Sequence, residues 1–136
     1  MRQNVANLPA LIKRAMRSCG CVVCLDEHTM PRLSLDQAPD IVLGERHGNS
    51  WAPEIMSFIQ SFLQNEGCSV TRNNPYAGGY VTEAYGKPAG NVHVIQMEIA
   101  RSLYMDEASL TLHEDFWAFQ LKMNGFIALL AQAVAR

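Results

Sequence analysis

The sequence predicts an α/β domain of three layers, α/β/α, built around a mostly buried sheet. Three observations point there. Segments with helical spacing of apolar residues alternate with short β-branched runs. The strand-like runs are apolar on both faces, as strands covered by helices on both sides are. The 136 residues suit one domain, 1–136, with room for a real core.

The elements follow in order. Residues 7–18 predict a helix, with Asn7 as cap, Pro9 in the first turn and a stripe of Leu8, Leu11, Ile12, Ala15 and Met16. "CGCVVCLD" reads as the first strand. "DIVLGER" reads as a second, ending at Gly44. In "APEIMSFIQSFLQNEG" the residues Ile55, Phe58, Ile59, Phe62 and Leu63 fall at helical spacing, and Gly67 closes the helix. "CSVTR" is a brief third strand, and "NNPYAGGYVTEAYGKPAGN" a long Asn-, Pro- and Gly-rich loop of the kind that carries function or is disordered. "VHVIQMEIA" is the clearest strand, followed by a short helical turn in "RSLYMDE". The chain closes on a long helix whose stripe runs Phe116, Phe119, Met123, Ile127, Leu130 and Val134.

Composition narrows the function classes. Hydrophobic residues make up 49% and charged residues 18%, ordinary for a globular chain, and a net charge of −2 gives no electrostatic case for nucleic acid. The longest apolar run, "GFIALLAQAVA", is far short of the roughly 20 residues of a membrane span. The opening residues show no secretory leader, so a cytoplasmic location is expected. Cys19, Cys21 and Cys24 form C-x-C-x-x-C, but Cys21 and Cys24 fall on opposite faces of one strand. With Cys68 they are expected to be buried structural thiols, not a metal set or disulfides.

The polar residues gather at the strand ends and in the Asn/Gly-rich loop. Asp26 and His28 close the first strand, Glu45 and Arg46 the second, Arg72 and Asn73 the third, while Gln96 and Glu98 share one face of the fourth. Four strands delivering polar side chains to one sheet edge predict a pocket there. From spacing alone His28 is open between a hydrogen-bonded structural histidine and a metal ligand, with Asp26 as its orienting partner or a turn cap. Glu98 interrupts an apolar strand, where a carboxylate is costly unless paired or functional; catalysis and a structural ion pair remain open. Arg46 and Arg72 are surface charges or carboxylate clamps. Tyr76, Tyr80 and Tyr85 pack the loop or offer a phenol to a substrate, and His47, His93 and His113 read as structural.

"LDEHTMP", "DIVLGERHG", "RNNPYAGGY" and "NVHVIQMEIARSLYMDE", in that order, resemble the C-terminal half of the N-formylglutamate amidohydrolase family. The resemblance covers about residues 10–130. It implies a mixed-sheet α/β/α fold similar to that of zinc carboxypeptidases, and hydrolysis of the amide of N-formyl-L-glutamate, or a similar N-acyl amino acid, late in histidine breakdown. It implies zinc, with His28 as the last of three ligands, and Glu98 as the base and then acid on the attacking water. Arg46, Arg72 and Asn73 match positions suited to the substrate's carboxylates and carbonyl, with Arg46 counted beside Glu98 as catalytic, and Tyr76, Gly78 and Gly79 belong to a loop that closes over it. Glu27, Thr29, Glu45 and Ala100 depart from the family's usual residues and leave the substrate side chain open.

The family pattern also has an N-terminal half carrying the first two metal ligands, which would precede Met1. The isolated chain is therefore expected to bind zinc weakly or not at all, and to leave a sheet edge or apolar face uncovered for self-association or a complementary N-terminal half. The alternative to the enzyme is an inactive remnant or binding module of the family.

Overall fold

The computed structural model describes residues 6–135; the leaderless opening expected of residues 1–5 lies outside them. Helix α1 spans Leu8–Cys19, entered through Pro9. It stops at Gly20, whose φ of 70° is the left-handed closure that glycine adopts without strain. Strands β1 (Val22–Met30) and β2 (Ile41–Gly44), helix α2 (Pro53–Asn65) and strand β3 (Val70–Arg72) follow. A short helix α3 (Tyr80–Tyr85) lies inside the segment expected to be irregular. After it come β4 (Val92–Ala100), a small hairpin of β5 (Met105–Asp106) and β6 (Thr111–Leu112), and α4 (Phe116–Val134). Among the described residues no helix is long and apolar enough to cross a membrane.

The main sheet has the order β1-β4-β2-β3 and is mixed, as expected. β1 runs parallel to β4 and β3 parallel to β2, but β2 is antiparallel to β4. β4 is therefore central, and eight of its nine residues are buried. One face of the sheet carries Ile41, Leu43, Ile95, Met97 and Ile99, packed under Met56, Ile59 and Leu63 of α2 and Phe126 and Leu130 of α4. Each such side chain contributes about 1.5–3 kcal/mol on leaving water. On the other face Met30, Val42 and Ala100 make a smaller cluster, and α3 packs along β4.

Four expectations change. β1 does not end at Asp26; it continues to Met30, because pairing with β4 holds it extended over nine residues. Phe58 and Ile127 turn outward, while Met56 and Phe126 take the inward positions. Both helices are apolar over so wide an arc that periodicity alone did not fix which side faces the sheet. Of the cysteines only Cys68 is buried; Cys19 is exposed, Cys21 and Cys24 lie between, and all four are free. Most consequential, the strand ends do not meet at one edge. Because β2 and β3 run against β1 and β4, their polar ends point the opposite way.

Candidate active site

What gathers the polar residues is register on one face of the sheet. Side chains alternate along a strand, so Asp26 and His28 leave β1 on the same side. The parallel pairing sets Asp26 beside Gln96 and His28 beside Glu98, and across β4 the antiparallel pairing sets Gly44 beside Gln96 and Val42 beside Glu98. Two rows result, Asp26–Gln96–Gly44 and His28–Glu98–Val42, two residues apart along each strand.

Within them the contacts are short. His28 Nε2 lies 3.1 Å from Asp26 Oδ1, and both side chains keep partial access to solvent. Gln96 Nε2 donates to Glu98 Oε1 at 2.7 Å, and both residues are buried, Gln96 at 7% and Glu98 at 9% exposure. A carboxylate this deep in the sheet needs a donor, and the neighbouring amide supplies one. Cys24 leaves β1 on the same side. Burial, and next the charge of Asp26, push its thiol above the ordinary range, so it stays protonated rather than adding a thiolate.

The ends of β2 and β3 form a second assembly. Glu45 is 2% exposed. Its Oε2 accepts the Gly48 N–H at 2.5 Å and its Oε1 accepts Asn73 Nδ2 at 2.5 Å, with Arg72 Nη2 at 3.4 Å. The Glu45 N–H in turn donates to Asn73 Oδ1 at 3.0 Å. Both ends of the Asn73 amide are thus engaged by Glu45. That network holds Arg46, His47 and Asn73 at φ of 54°, 55° and 58°, left-handed conformations that side chains adopt only when the surroundings enforce them. The Arg46 N–H donates to Ala77 O at 2.8 Å, and its guanidinium lies 3.5 Å from Glu83, half-exposed like that of Arg72.

The segment from Tyr76 to Gly79 lies on the site face as a strap. A Cβ on Gly44 would stand 2.6 Å from the Gly78 nitrogen, and one on Gly79 would stand 2.9 Å from Gln96 Oε1. Gly78 sits at φ 116°, and Thr82 Oγ1 fastens the strap by donating to Gly79 O at 2.6 Å. Tyr76 stands at its exposed margin. Gly79 is a glycine because the strap lies on Gln96, and Gly78 because its φ is positive and a Cβ there would stand 2.6 Å from Thr82 Oγ1.

His28, Asp26 and Glu98 are brought together on one patch. Arg46, Arg72, Tyr76, Gly78 and Gly79 border it from the β2 end. Sequence reading left Gln96 and Glu45 without roles. Gln96 was legible from the two-residue spacing to Glu98; the burial of Glu45 was not, since it depends on Asn73, 28 positions away. Imidazole and carboxylate are the donor types zinc takes, but Asp26 and His28 are two where a catalytic zinc takes three protein ligands. Among the described residues no group of three His, Cys, Asp or Glu side chains converges to hold a metal.

Comparison with known proteins places this chain in a family. A family model described as N-formylglutamate amidohydrolase matches residues 5–105, which contain every residue of the patch and the strap. The N-formylglutamate deformylase of Pseudomonas putida is 32% identical over 110 residues, covering 76% of this chain and 41% of that protein. That of Pseudomonas aeruginosa is 32% identical over 101 residues, covering 71% and 38%. The crystal structure of N-formylglutamate amidohydrolase from Ralstonia eutropha JMP134 superposes with a TM-score of 0.90 at 29% identity, over 98% of this chain and 50% of that one. The chain thus spans about two-fifths of the length of these curated relatives.

Proposed function

The chain belongs to the N-formylglutamate amidohydrolase family, and from that premise we propose that it serves a zinc-dependent amidohydrolase. The substrate is N-formyl-L-glutamate or a similar N-acyl amino acid, and the products are the carboxylate, formate in the first case, and the free amino acid. The observation that carries the proposal is the register of His28 against Glu98, with Asp26 on the imidazole and Gln96 on the carboxylate.

Each side chain has work suited to its surroundings. Glu98, buried yet beside the half-open His28, takes a proton from water as the water oxygen bonds to the formyl carbon. It then returns the proton to the departing amine nitrogen as the C–N bond breaks. Arg46 and Arg72, half-exposed at the border, receive the substrate's carboxylates, guanidinium matching carboxylate in shape and charge. Glu45 and Asn73 hold the turns that carry those arginines, and the strap with Tyr76 covers the patch. Asp26 orients His28, whose ring is the zinc donor in this reading. Zinc, when bound, lowers the pKa of a water and polarises a carbonyl. A single imidazole gives weak affinity, so turnover requires zinc in excess.

The donor count favours a second reading, binding of the N-acyl amino acid without turnover. Formate release from N-formyl-L-glutamate, with zinc in excess, separates the two. Release that is lost in His28→Ala supports the hydrolase. Saturable binding of the substrate with no formate released replaces it with the binding module.

A further inference from the structure

We infer that Gln96 is the positioning residue for Glu98, fixing one carboxylate oxygen so that the other is presented to the water; this rests on Glu98 being the base. The two are neighbours on one face of β4, both buried, with the Gln96 amide donating to Glu98 Oε1 at 2.7 Å. The assignment of the amide follows from chemistry: a carboxylate accepts, so the nitrogen faces it and the carbonyl end faces away.

That carbonyl end has little room to leave. Gly79 of the strap lies so close that an added Cβ would be 2.9 Å from Gln96 Oε1. The strap in turn reaches this depth because Gly44, the residue opposite Gln96 in β2, has no side chain; a Cβ there would stand 2.6 Å from the Gly78 nitrogen. The amide is wedged between the strap and the carboxylate. Both guanidinium groups near the site are turned to other carboxylates, Arg46 to Glu83 and Arg72 to Glu45. A neutral amide therefore orients Glu98 without neutralising it, which an arginine in its place would do. One tied oxygen also holds the Glu98 side chain in one rotamer, and a base held in one rotamer loses less to misaligned encounters.

The test uses Gln96→Met, which keeps the length and removes the donor, and Gln96→Asn, which keeps an amide but withdraws it from reach. In the wild-type chain, three-bond NMR couplings along the Glu98 side chain report a single rotamer; in both variants they average. With zinc in excess, kcat for N-formyl-L-glutamate falls about tenfold to a hundredfold while KM stays within about twofold, the split expected of a group that acts on the base rather than on the substrate. Couplings that stay fixed in both variants overturn the positioning role, whatever the rate does. Turnover that survives Glu98→Gln overturns the base assignment instead, and the couplings still report whether Gln96 holds Glu98.

Discussion

The two faces of β4 differ in chemistry but not in burial. Ile95, Met97 and Ile99 point one way and are 0%, 0% and 8% exposed; Gln96 and Glu98 point the other at 7% and 9%. The apolar face is stabilised by transfer from water, which is proportional to area and indifferent to partner. The polar pair, unlike Val94 and Ala100 on the same face, gains nothing from burial itself. It is tolerated because an amide meets a carboxylate, an imidazole sits one strand away, and glycines let the strap approach. Damage to the first face should therefore appear as lost stability, and damage to the second as lost chemistry.

The largest stability effect is expected from Ile95→Ala. It removes a fully buried side chain from between the sheet and the helices and should cost about 2–5 kcal/mol, read as a lower urea midpoint. A loss under about 1 kcal/mol would mean that the apolar face is not the stabilising one. Gly44→Ala should cost about 1–3 kcal/mol, because the new methyl meets strap backbone, which cannot step aside cheaply. It should also raise KM by displacing the strap, so a neutral outcome would mean that the strap lies elsewhere. Glu45→Ala strands the Asn73 amide and the Gly48 N–H and should cost about 1–3 kcal/mol in the same measurement.

The smallest effect concerns pH and the apolar side of β4. His93 is buried, and its Nδ1 accepts the Ala52 N–H at 3.2 Å at the start of α2, which requires a neutral ring. Burial lowers its pKa below the ordinary 6.5. Above that pH the ring is neutral in both folded and unfolded chains and contributes no pH dependence. As pH falls through 6.5 the unfolded chain takes up a proton that the folded chain refuses, so stability declines until the native ring protonates too. Urea midpoints measured at successive pH values should fall across that window in wild type and fall less in His93→Gln.

The sequence made β4 legible from end to end, because a nine-residue run with four β-branched residues and a carboxylate in it has few other readings. It also placed Asp26, His28, Gln96 and Glu98 on shared faces, since alternation is local. Strand direction was not legible. Nothing in "DIVLGER" says which way it runs beside β4, and the expectation of one common sheet edge failed on that point. The helix phases failed for a related reason: α2 and α4 are apolar over so wide an arc that Met56 and Phe58, or Phe126 and Ile127, compete for the inward position until tertiary packing decides. The left-handed turn at Arg46 and His47 was hidden too, because it sits beside the burial of Glu45 against Asn73, an asparagine just past β3 and 28 positions away.

β4 thus divides its labour, with stability on one face and chemistry on the other. Glu98→Gln tests it most directly, with formate release under excess zinc and urea unfolding measured on the same preparation. Turnover should fall at least about a hundredfold while stability changes by less than about 1 kcal/mol, since the amide replaces the carboxylate without altering its shape. Turnover that survives the substitution, or a stability loss as large as that of Ile95→Ala, would contradict it.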